Sequence, residues 1–200
     1  MKTLFISFFF AFALVSSTVA QSQFTVDAKA SQLNWTGYAE LGSWAPSGTI
    51  QVSKGQFSVA GRQITTGRIS IDMTTLQHED AKLQAHLRDE DFFDIARYPT
   101  ATFLLASLSG QVATGQLTIR GVTRPVTFPV VVSPEGDGLR IKGKAVIDRT
   151  QFAIRYNSTS FFSGLGDYAI KNEFSLAFNI VVKPAGKPGI AGRPAESSRR

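Results

Sequence analysis

Apolar and polar residues alternate over most of the chain after residue 20. Ile69, Ile71 and Met73 are separated by polar residues, and the stretch 174–182 alternates over nine positions. A period of two places successive side chains on opposite faces of an extended strand. The pattern therefore predicts β-strands with one apolar and one polar face, including a last strand whose polar positions, such as Ser175, face solvent.

Clusters of turn-forming residues divide these alternating runs. Gly121 and the segment 134–138 are strong turn signals, because glycine and proline favour backbone angles that end a strand. Similar clusters at 53–55, 60–62 and 65–67 are predicted as further turns. Turns this closely spaced connect neighbouring strands as antiparallel hairpins.

The number and polarity of the strands indicate how the sheet closes. The pattern gives about eight strands, one of them formed by Phe152, Ile154 and Tyr156. Because only one face of each strand is apolar, the sheet must turn that face inward. The predicted fold class is mainly β: an extended antiparallel up-and-down β-barrel, lipocalin-like, with room inside for side chains or one slim ligand.

One segment interrupts the strand pattern. Three leucines between residues 76 and 87 lie close to one helical face, and acidic residues 89–91 favour a second short helix that carries Phe92 and Phe93. Pro99 then ends any helix, because it lacks the amide hydrogen and restricts the residue before it. A short helical insert at about 76–97 is predicted, packed at or across one end of the barrel as a lid or plug.

The two ends of the chain differ in composition from the middle. Residues 1–20 have a positive Lys2, an apolar run and small residues before Gln21, which is typical of a cleaved signal peptide. Residues 21–183 are long enough for one domain with a sizeable core. Residues 184–200 are rich in Gly, Pro, Ser and Arg and are predicted to form a disordered tail. The predicted location is periplasmic or secreted, and the absence of cysteine excludes disulfides and thiol catalysis.

The formal net charge of +6 gives little support to a nucleic-acid partner. Lys2 leaves with the signal peptide and the tail carries +3, so the domain itself retains +2. The domain has no basic stripe with interleaved aromatic residues, and no nucleic-acid partner is predicted. A transient membrane contact and a homodimer are both compatible with the sequence, and neither is required by it.

Residues suited to catalysis or metal binding are sparse. His78 and His86 are the only histidines, too few for a metal site that needs three or four convergent ligands. The chain has no G-x-S-x-G elbow, no H-E-x-x-H motif and no phosphate-binding glycine loop. Asp72 and Asp148 follow isoleucines and are predicted to face outward, with Asp148 and Arg149 forming a local ion pair. The sequence predicts no enzyme, no catalytic residue, no metal and no cofactor.

The positive signal comes from large apolar side chains. Many aromatic residues have the inward-facing parity of their strands, which fits a filled core. Together with long strands and a helical lid, they also fit an apolar ligand channel. The predicted ligand-binding residues are Trp35, Phe57, Ile71, Met73, Phe92, Phe93, Phe103, Leu117, Ile119, Phe128, Ile147, Phe152, Ile154, Phe162 and Phe178.

Four stretches of the sequence resemble the YceI-like family, bacterial exported polyisoprenoid-binding proteins with lipocalin-like barrels. They are GRISIDMTTL at 67–76, the segment 86–103, GQLTIRGVTRPV at 115–126 and AVIDRTQFAI at 145–154. The resemblance covers residues 24–183 and implies a barrel whose tunnel holds a long isoprenoid, quinone-like or fatty-acyl molecule, with no catalytic residues. The sequence departs from the family pattern at Ala153, where glycine is expected, and at 44–47, which lacks a histidine.

Three functions stay open on the sequence alone. The first is the non-catalytic binding, storage or transport of a long apolar ligand, either a long-chain lipid or an isoprenoid. The second is an envelope stress or interaction protein whose barrel is filled by its own side chains and stores no ligand. The third is a hydrolase or isomerase that acts on a lipid in the tunnel.

Overall fold

Nine β-strands form the framework of the protein. The computed structural model describes residues 21–61 and 63–186, so the predicted signal peptide and residues 187–200 of the predicted tail lie outside the described residues. The strands are β1 Gln21–Val26, β2 Gln32–Thr36, β3 Ser47–Ala60, β4 Gln63–Gln77, β5 Thr100–Ser109, β6 Val112–Ile119, β7 Val122–Glu135, β8 Gly138–Asp148 and β9 Glu173–Pro184. Helix α1 is Ala81–Arg88, and 3₁₀ turns lie at Arg149–Phe152 and Gly166–Tyr168.

The nine strands close into a barrel with eight strand positions. From β3 to β9, each strand pairs antiparallel with the next strand in the sequence. β1 and β2 lie end to end between β3 and β9 and together fill the eighth position, with Phe24 opposite Phe57 and Leu33 opposite Ile50. The predicted up-and-down barrel is confirmed.

The two ends of the barrel are built differently. At one end, short turns at Gly61, 110–111 and 136–137 connect the strands, and we call it the hairpin end. At the other end lie α1 and the longer loops 37–46 and 149–172, and we call it the helical end. The apolar faces of the strands meet between these ends in one core cluster.

Two of the predicted turns are parts of long strands. Residues 53–55 lie inside β3, where the pairing with β4 shifts register between Val52 and Lys54, and residues 65–67 lie inside β4. Gly67 is needed there for packing, because a Cβ atom at this position would collide with the ring of Phe57 on the neighbouring strand. A glycine signal can therefore mark close approach of an aromatic ring as well as a turn.

Replacing Gly67 with alanine should destabilise the barrel by about 1–3 kcal/mol, because the buried Phe57 ring must shift within a packed interior. The measurement is urea unfolding followed by tryptophan fluorescence. Gly37→Ala is the control, since a Cβ atom there makes only an ordinary contact with Pro46 at 3.8 Å. Equal unfolding midpoints for the two variants would contradict this role of Gly67.

The helical insert is present, but it is shorter than predicted. Asp80 begins α1 by accepting hydrogen bonds from the backbone of Lys82 and Leu83, and the helix ends at Arg88. The predicted second helix is wrong: residues 89–98 form successive turns, with Asp94 in the left-handed region at φ 47°. Within 21–61 and 63–186 no helix has the length and apolar character needed to cross a membrane.

The predicted strand through Phe152, Ile154 and Tyr156 is also wrong. The side chain of Asp148 accepts a hydrogen bond from the backbone N–H of Thr150 at 2.9 Å and starts a 3₁₀ turn. Ala153 then adopts φ 62°, which reverses the chain. Phe152 and Ile154 are buried although they do not alternate along a strand. The sequence pattern reported their burial correctly but not the backbone that produces it.

Two predictions about polar side chains need correction. Arg149 does not pair with Asp148 but is itself buried, as described below, while Asp148 caps the 3₁₀ turn. Ser175 does not face solvent: its side chain is 3% exposed and its hydroxyl lies 2.8 Å from the Tyr38 hydroxyl. The loop 37–46 places Tyr38 there, because the backbone N–H of Lys171 donates to the Tyr38 carbonyl.

Candidate ligand cavity

An apolar cavity lies inside the helical end of the barrel. It offers a volume of ≈ 110 Å³ to the centres of water-sized molecules, where a single water needs only about 10–15 Å³. Its walls are almost entirely apolar, so water would gain few hydrogen bonds in it. Eight of the predicted ligand-binding residues line it: Trp35, Ile71, Met73, Phe92, Phe93, Leu117, Ile119 and Ile147.

A second apolar cavity of ≈ 80 Å³ lies inside the hairpin end. A row of three rings, Phe103, Phe128 and Phe178, forms part of its wall, with successive ring centroids 5.2 and 5.5 Å apart. These spacings are typical of favourable aromatic pairs. The predicted ligand-binding residues that line it are Phe57, Ile71, Phe103, Leu117, Phe128, Ile147 and Phe178.

The two cavities share part of their walls in the middle of the barrel. Ile71, Leu117, Ile147 and Leu176 line both of them, and we call these four residues the waist. They come from β4, β6, β8 and β9, of which β8 and β9 are neighbours in the barrel wall. An apolar chain that passes the waist would touch protein carbon over both halves of the barrel.

Three of the predicted ligand-binding residues do not line either cavity. Phe152 and Ile154 are fully buried in the core beside the helical end. Phe162 is 51% exposed in the loop 149–172, and its predicted place in the channel is corrected. That loop is held by turns and backbone hydrogen bonds, so strand parity has no meaning in it.

Loop residues that the strand pattern could not assign complete the helical-end cavity. Trp44 and Pro46 line it from the loop 37–46, and Trp44 is also 57% exposed, so it stands at the cavity mouth. Lys171 and Glu173 lie on the same mouth. The only sequence signal for this mouth was Trp44, an aromatic residue in a loop rich in Gly, Pro and Ser. The composition of a loop does not reveal which way such a side chain points.

Phe92 and Phe93 cover the helical end from the insert. Phe92 is buried against His86 and Tyr156, with ring centroids 5.1 and 5.3 Å away. Phe93 is half-buried and meets Phe174 of β9 edge to face at 6.2 Å. Arg120 donates a hydrogen bond to the Phe92 carbonyl at 2.8 Å and ties the insert to the β6–β7 turn.

Arg149 is a buried cation beside the same cavity. Its side chain is 4% exposed, and its guanidinium donates to the carbonyls of Ile154, Ile170 and Lys171, each at 3.0 Å. It also lies 5.8 Å from the centre of the Phe92 ring. Burial lowers the pKa of the Arg149 guanidinium, and arginine nevertheless stays charged in proteins. Because the cavity surface itself is apolar, this charge holds the beginning and the end of the loop 149–172 together rather than facing the cavity.

Titratable groups near the cavity do not form a metal site. His86 packs between Phe92 and Tyr156, with its Nε2 3.5 Å from an Asp91 oxygen. His78 accepts a hydrogen bond from the Asp80 backbone and stacks near Trp35. Within residues 21–61 and 63–186 no three His, Cys, Asp or Glu side chains are grouped closely enough to hold a metal ion.

The fold and the cavity define the class of protein: a closed antiparallel barrel around an apolar interior, capped by a short helical insert. The family model of the YceI-like domain matches residues 24–182. The chain therefore belongs to the YceI-like family, which confirms the resemblance.

Individual relatives match this chain at low identity or over only part of its length. A UPF0312 protein of Pseudomonas putida is 34% identical over 96 residues, which are 44% of this chain, and the chain spans 50% of that protein. A UPF0312 protein of Shewanella denitrificans is 27% identical over 143 residues, covering 68% of this chain and 75% of that protein. Protein YceI of Escherichia coli O157:H7 is 37% identical over 73 residues, covering 34% of this chain and 38% of that protein.

Solved structures share the fold. A polyisoprenoid binding domain from Saccharophagus degradans, implicated in plant cell wall breakdown, has a TM-score of 0.62 at 13% identity and covers 81% of this chain and 98% of that one. BcnA of Burkholderia cenocepacia has a TM-score of 0.59 at 24% identity and covers 78% of this chain and 98% of that one. At these identities the likeness establishes the architecture of the barrel.

Proposed function

We propose that the barrel binds one long apolar chain, a polyisoprenoid, a quinone-like molecule or a fatty-acyl chain, for storage or transport and without catalysis. The observation that carries the proposal is the pair of apolar cavities that adjoin each other at the waist of Ile71, Leu117, Ile147 and Leu176. The polyisoprenoid-binding domain of Saccharophagus degradans shares this fold and supports an apolar ligand. We also propose that the protein works in the periplasm or after secretion, as the composition of residues 1–20 indicates.

The energetics favour a long chain over a short one. Burying a CH₂ group contributes about 0.8 kcal/mol, so about twelve carbons give roughly 10 kcal/mol. Association costs at least about 4 kcal/mol, which leaves roughly 6 kcal/mol and a Kd of tens of micromolar. A longer chain that passes the waist reaches tighter binding without any polar contact, which suits walls that offer almost none.

The test is organic extraction of the purified protein followed by mass spectrometry. The proposal expects a co-purifying chain molecule at a stoichiometry near one per protein. A protein that yields no chain after purification, and that takes up none when offered hexadecanol or a prenyl alcohol, would contradict it. Turnover of the extracted molecule by the purified protein would indicate an enzyme instead.

A filled barrel that acts through its surface is the second candidate. The ring row Phe103, Phe128 and Phe178 favours it, because three packed aromatic rings already fill much of the hairpin half. Such a protein would be an envelope stress or interaction protein with no stored ligand. Uptake of a long chain separates the two, since a filled barrel has no space to accept it.

Truncating the lid should affect ligand more than stability. Removing a fully buried phenylalanine side chain costs about 3–5 kcal/mol, but Phe93 borders an existing cavity, so we expect Phe93→Ala to cost only about 1–2 kcal/mol. The same change opens the helical end and should increase the dissociation rate of a bound chain severalfold. The measurement combines thermal melting with the release rate of a fluorescent fatty-acyl probe.

Phe161→Ala is the matched control for the lid variant. Phe161 lies at the same end, is 46% exposed and does not line the cavity. It should change neither melting nor release. If Phe93→Ala unfolds the protein, or releases the probe at the rate of Phe161→Ala, Phe93 is a structural plug and not a lid.

A further inference from the structure

The barrel wall is open on one side at the hairpin end. The hydrogen-bonded pairing of β4 with β5 ends at Gly67 opposite Leu105, although β4 continues back to Gln63 and β5 continues to Ser109. Each strand remains paired on its other side, β4 with β3 and β5 with β6. Residues 63–66 and 106–109 therefore do not pair with each other and leave a gap in the ladder, and the pairing of each strand with its other neighbour also shifts register here.

Beside this gap lies a slot of ≈ 500 Å³, which we call the lateral slot; the β5–β6 turn at 110–111 and Val131 and Val132 of β7 line it as well. Its lining combines apolar residues with the amides of Gln63 and Gln111 and the hydroxyl of Ser107, whereas the Thr65 hydroxyl already donates to the Ser58 carbonyl and accepts from Gln21. No ionisable side chain is present among the described residues that line it. The lateral slot therefore differs in chemistry from the two inner cavities, whose walls are almost entirely apolar.

The lateral slot meets the inner cavity at two side chains. Ile64 and Leu108 line both the slot and the hairpin-end cavity, so each separates the interior from the outer groove. Ile64 is buried and Leu108 is half-buried, and they stand on the two strand segments that do not pair with each other. These two side chains therefore stand between the apolar interior and a groove that provides hydrogen-bonding groups.

We propose that the lateral slot holds the polar end of the bound molecule, and that this end is an uncharged oxygen group such as a hydroxyl or a carbonyl. This inference rests on the proposed function, since it assumes a chain in the cavities. A polar group inside the apolar cavities would lose its hydrogen bonds at a cost of several kcal/mol, so it must lie where the wall offers partners. Amides and hydroxyls both donate and accept hydrogen bonds, which matches a hydroxyl or carbonyl. Binding of a phosphate or carboxylate instead favours cationic donors, typically arginine or lysine.

The chemistry of the polar end of the ligand, its head, is tested with ligands that carry the same sixteen-carbon chain. Hexadecane, hexadecanol and hexadecyl phosphate are compared by their ability to displace a fluorescent fatty-acyl probe from the full-length protein. We expect hexadecanol to bind at least about tenfold more tightly than hexadecyl phosphate, a difference of about 1.4 kcal/mol. Equal or tighter binding of the phosphate would overturn the inference while leaving the proposed function intact. Failure of all three to bind would contradict the proposed function itself.

The position of the head is tested with a reactive ligand, which is practical because the chain contains no cysteine. Ser107→Cys places a thiol in the lateral slot, and Lys171→Cys places a matched thiol at the mouth of the helical-end cavity. N-hexadecyl iodoacetamide forms a carbon–sulfur bond with a thiolate and releases iodide. For each variant, the rate at which N-hexadecyl iodoacetamide alkylates the thiol is divided by the rate for iodoacetamide. This ratio corrects for the exposure of each thiol.

The inference expects the corrected rate at Ser107→Cys to exceed that at Lys171→Cys at least tenfold. Adding Leu108→Trp to the slot variant narrows the connection to the interior and should abolish this preference. A faster corrected rate at Lys171→Cys would place the head at the helical end and overturn the inference. Equal rates in a protein that still binds hexadecane would overturn it as well.

Discussion

Replacing Arg149 with methionine should lower the free energy of unfolding by about 3–5 kcal/mol, one of the two largest effects expected in this protein. Methionine fills part of the volume but leaves the carbonyls of Ile154, Ile170 and Lys171 without their donor. Each buried acceptor without a partner costs about 1–3 kcal/mol. Arg149→Lys should recover little, because one ammonium cannot match a planar guanidinium that reaches three carbonyls. The measurement is urea unfolding monitored by circular dichroism.

Arg155→Met is the control for charge and side-chain length. Arg155 is exposed and lies over the exposed ring of Phe161, so its removal should change stability by less than about 0.5 kcal/mol. A similar small change in Arg149→Met would show that water or a rearranged loop satisfies the three carbonyls, and that the loop 149–172 does not depend on this cation.

Replacing Leu117 with tryptophan should reduce the affinity for a sixteen-carbon chain by roughly fiftyfold, the second large effect. Leu117 belongs to the waist, and a larger ring there blocks passage between the two cavities. A chain confined to one half loses contact for about three CH₂ groups, or roughly 2.4 kcal/mol. The extra side-chain volume should cost about 1–3 kcal/mol of stability, since a packed interior accommodates it poorly. Probe displacement and urea unfolding measure the two effects.

Leu104→Trp is the matched control. Leu104 lies on the neighbouring strand β5 and faces outward, so the same change adds a ring outside the barrel. It should leave chain affinity unchanged. Full affinity in a folded Leu117→Trp protein would show that the chain does not pass the waist, and binding would then be confined to one cavity.

These predictions also separate the role of the lid from that of the cavity. Arg149 lies beside Phe92 and supports the loop next to the lid, whereas Leu117 lies in the barrel interior between the two cavities. A variant of Arg149 that retains its fold should release ligand faster without losing space for it. A variant of Leu117 should lose space with the lid intact. The two measurements, release rate and affinity, therefore report different parts of the site.

The strand alternation determined most of the fold. The burial of every second residue in β6 and the turn at Gly121 could be predicted directly from the sequence. A strand whose polarity alternates with a period of two is stable only when its apolar face is turned toward the core. Twelve of the fifteen predicted ligand-binding residues line a cavity, and ten of these lie on strands, where inward parity places a side chain in the interior; Phe92 and Phe93 reach the cavity from the helical insert. Parity does not distinguish a filled interior from an open one.

Tertiary structure decided what local pattern could not. The alternation of Phe152 and Ile154 looks like a strand, but the Asp148 cap and the left-handed Ala153 turn the chain into a buried 3₁₀ segment. Ser175 has outward parity and is still buried, because Tyr38 arrives from another loop. The waist and the lateral slot depend on where strands from distant parts of the chain meet or do not pair. A sequence specifies the polarity of each residue locally, whereas an empty volume is the result of all side chains together, and only the assembled barrel determines it.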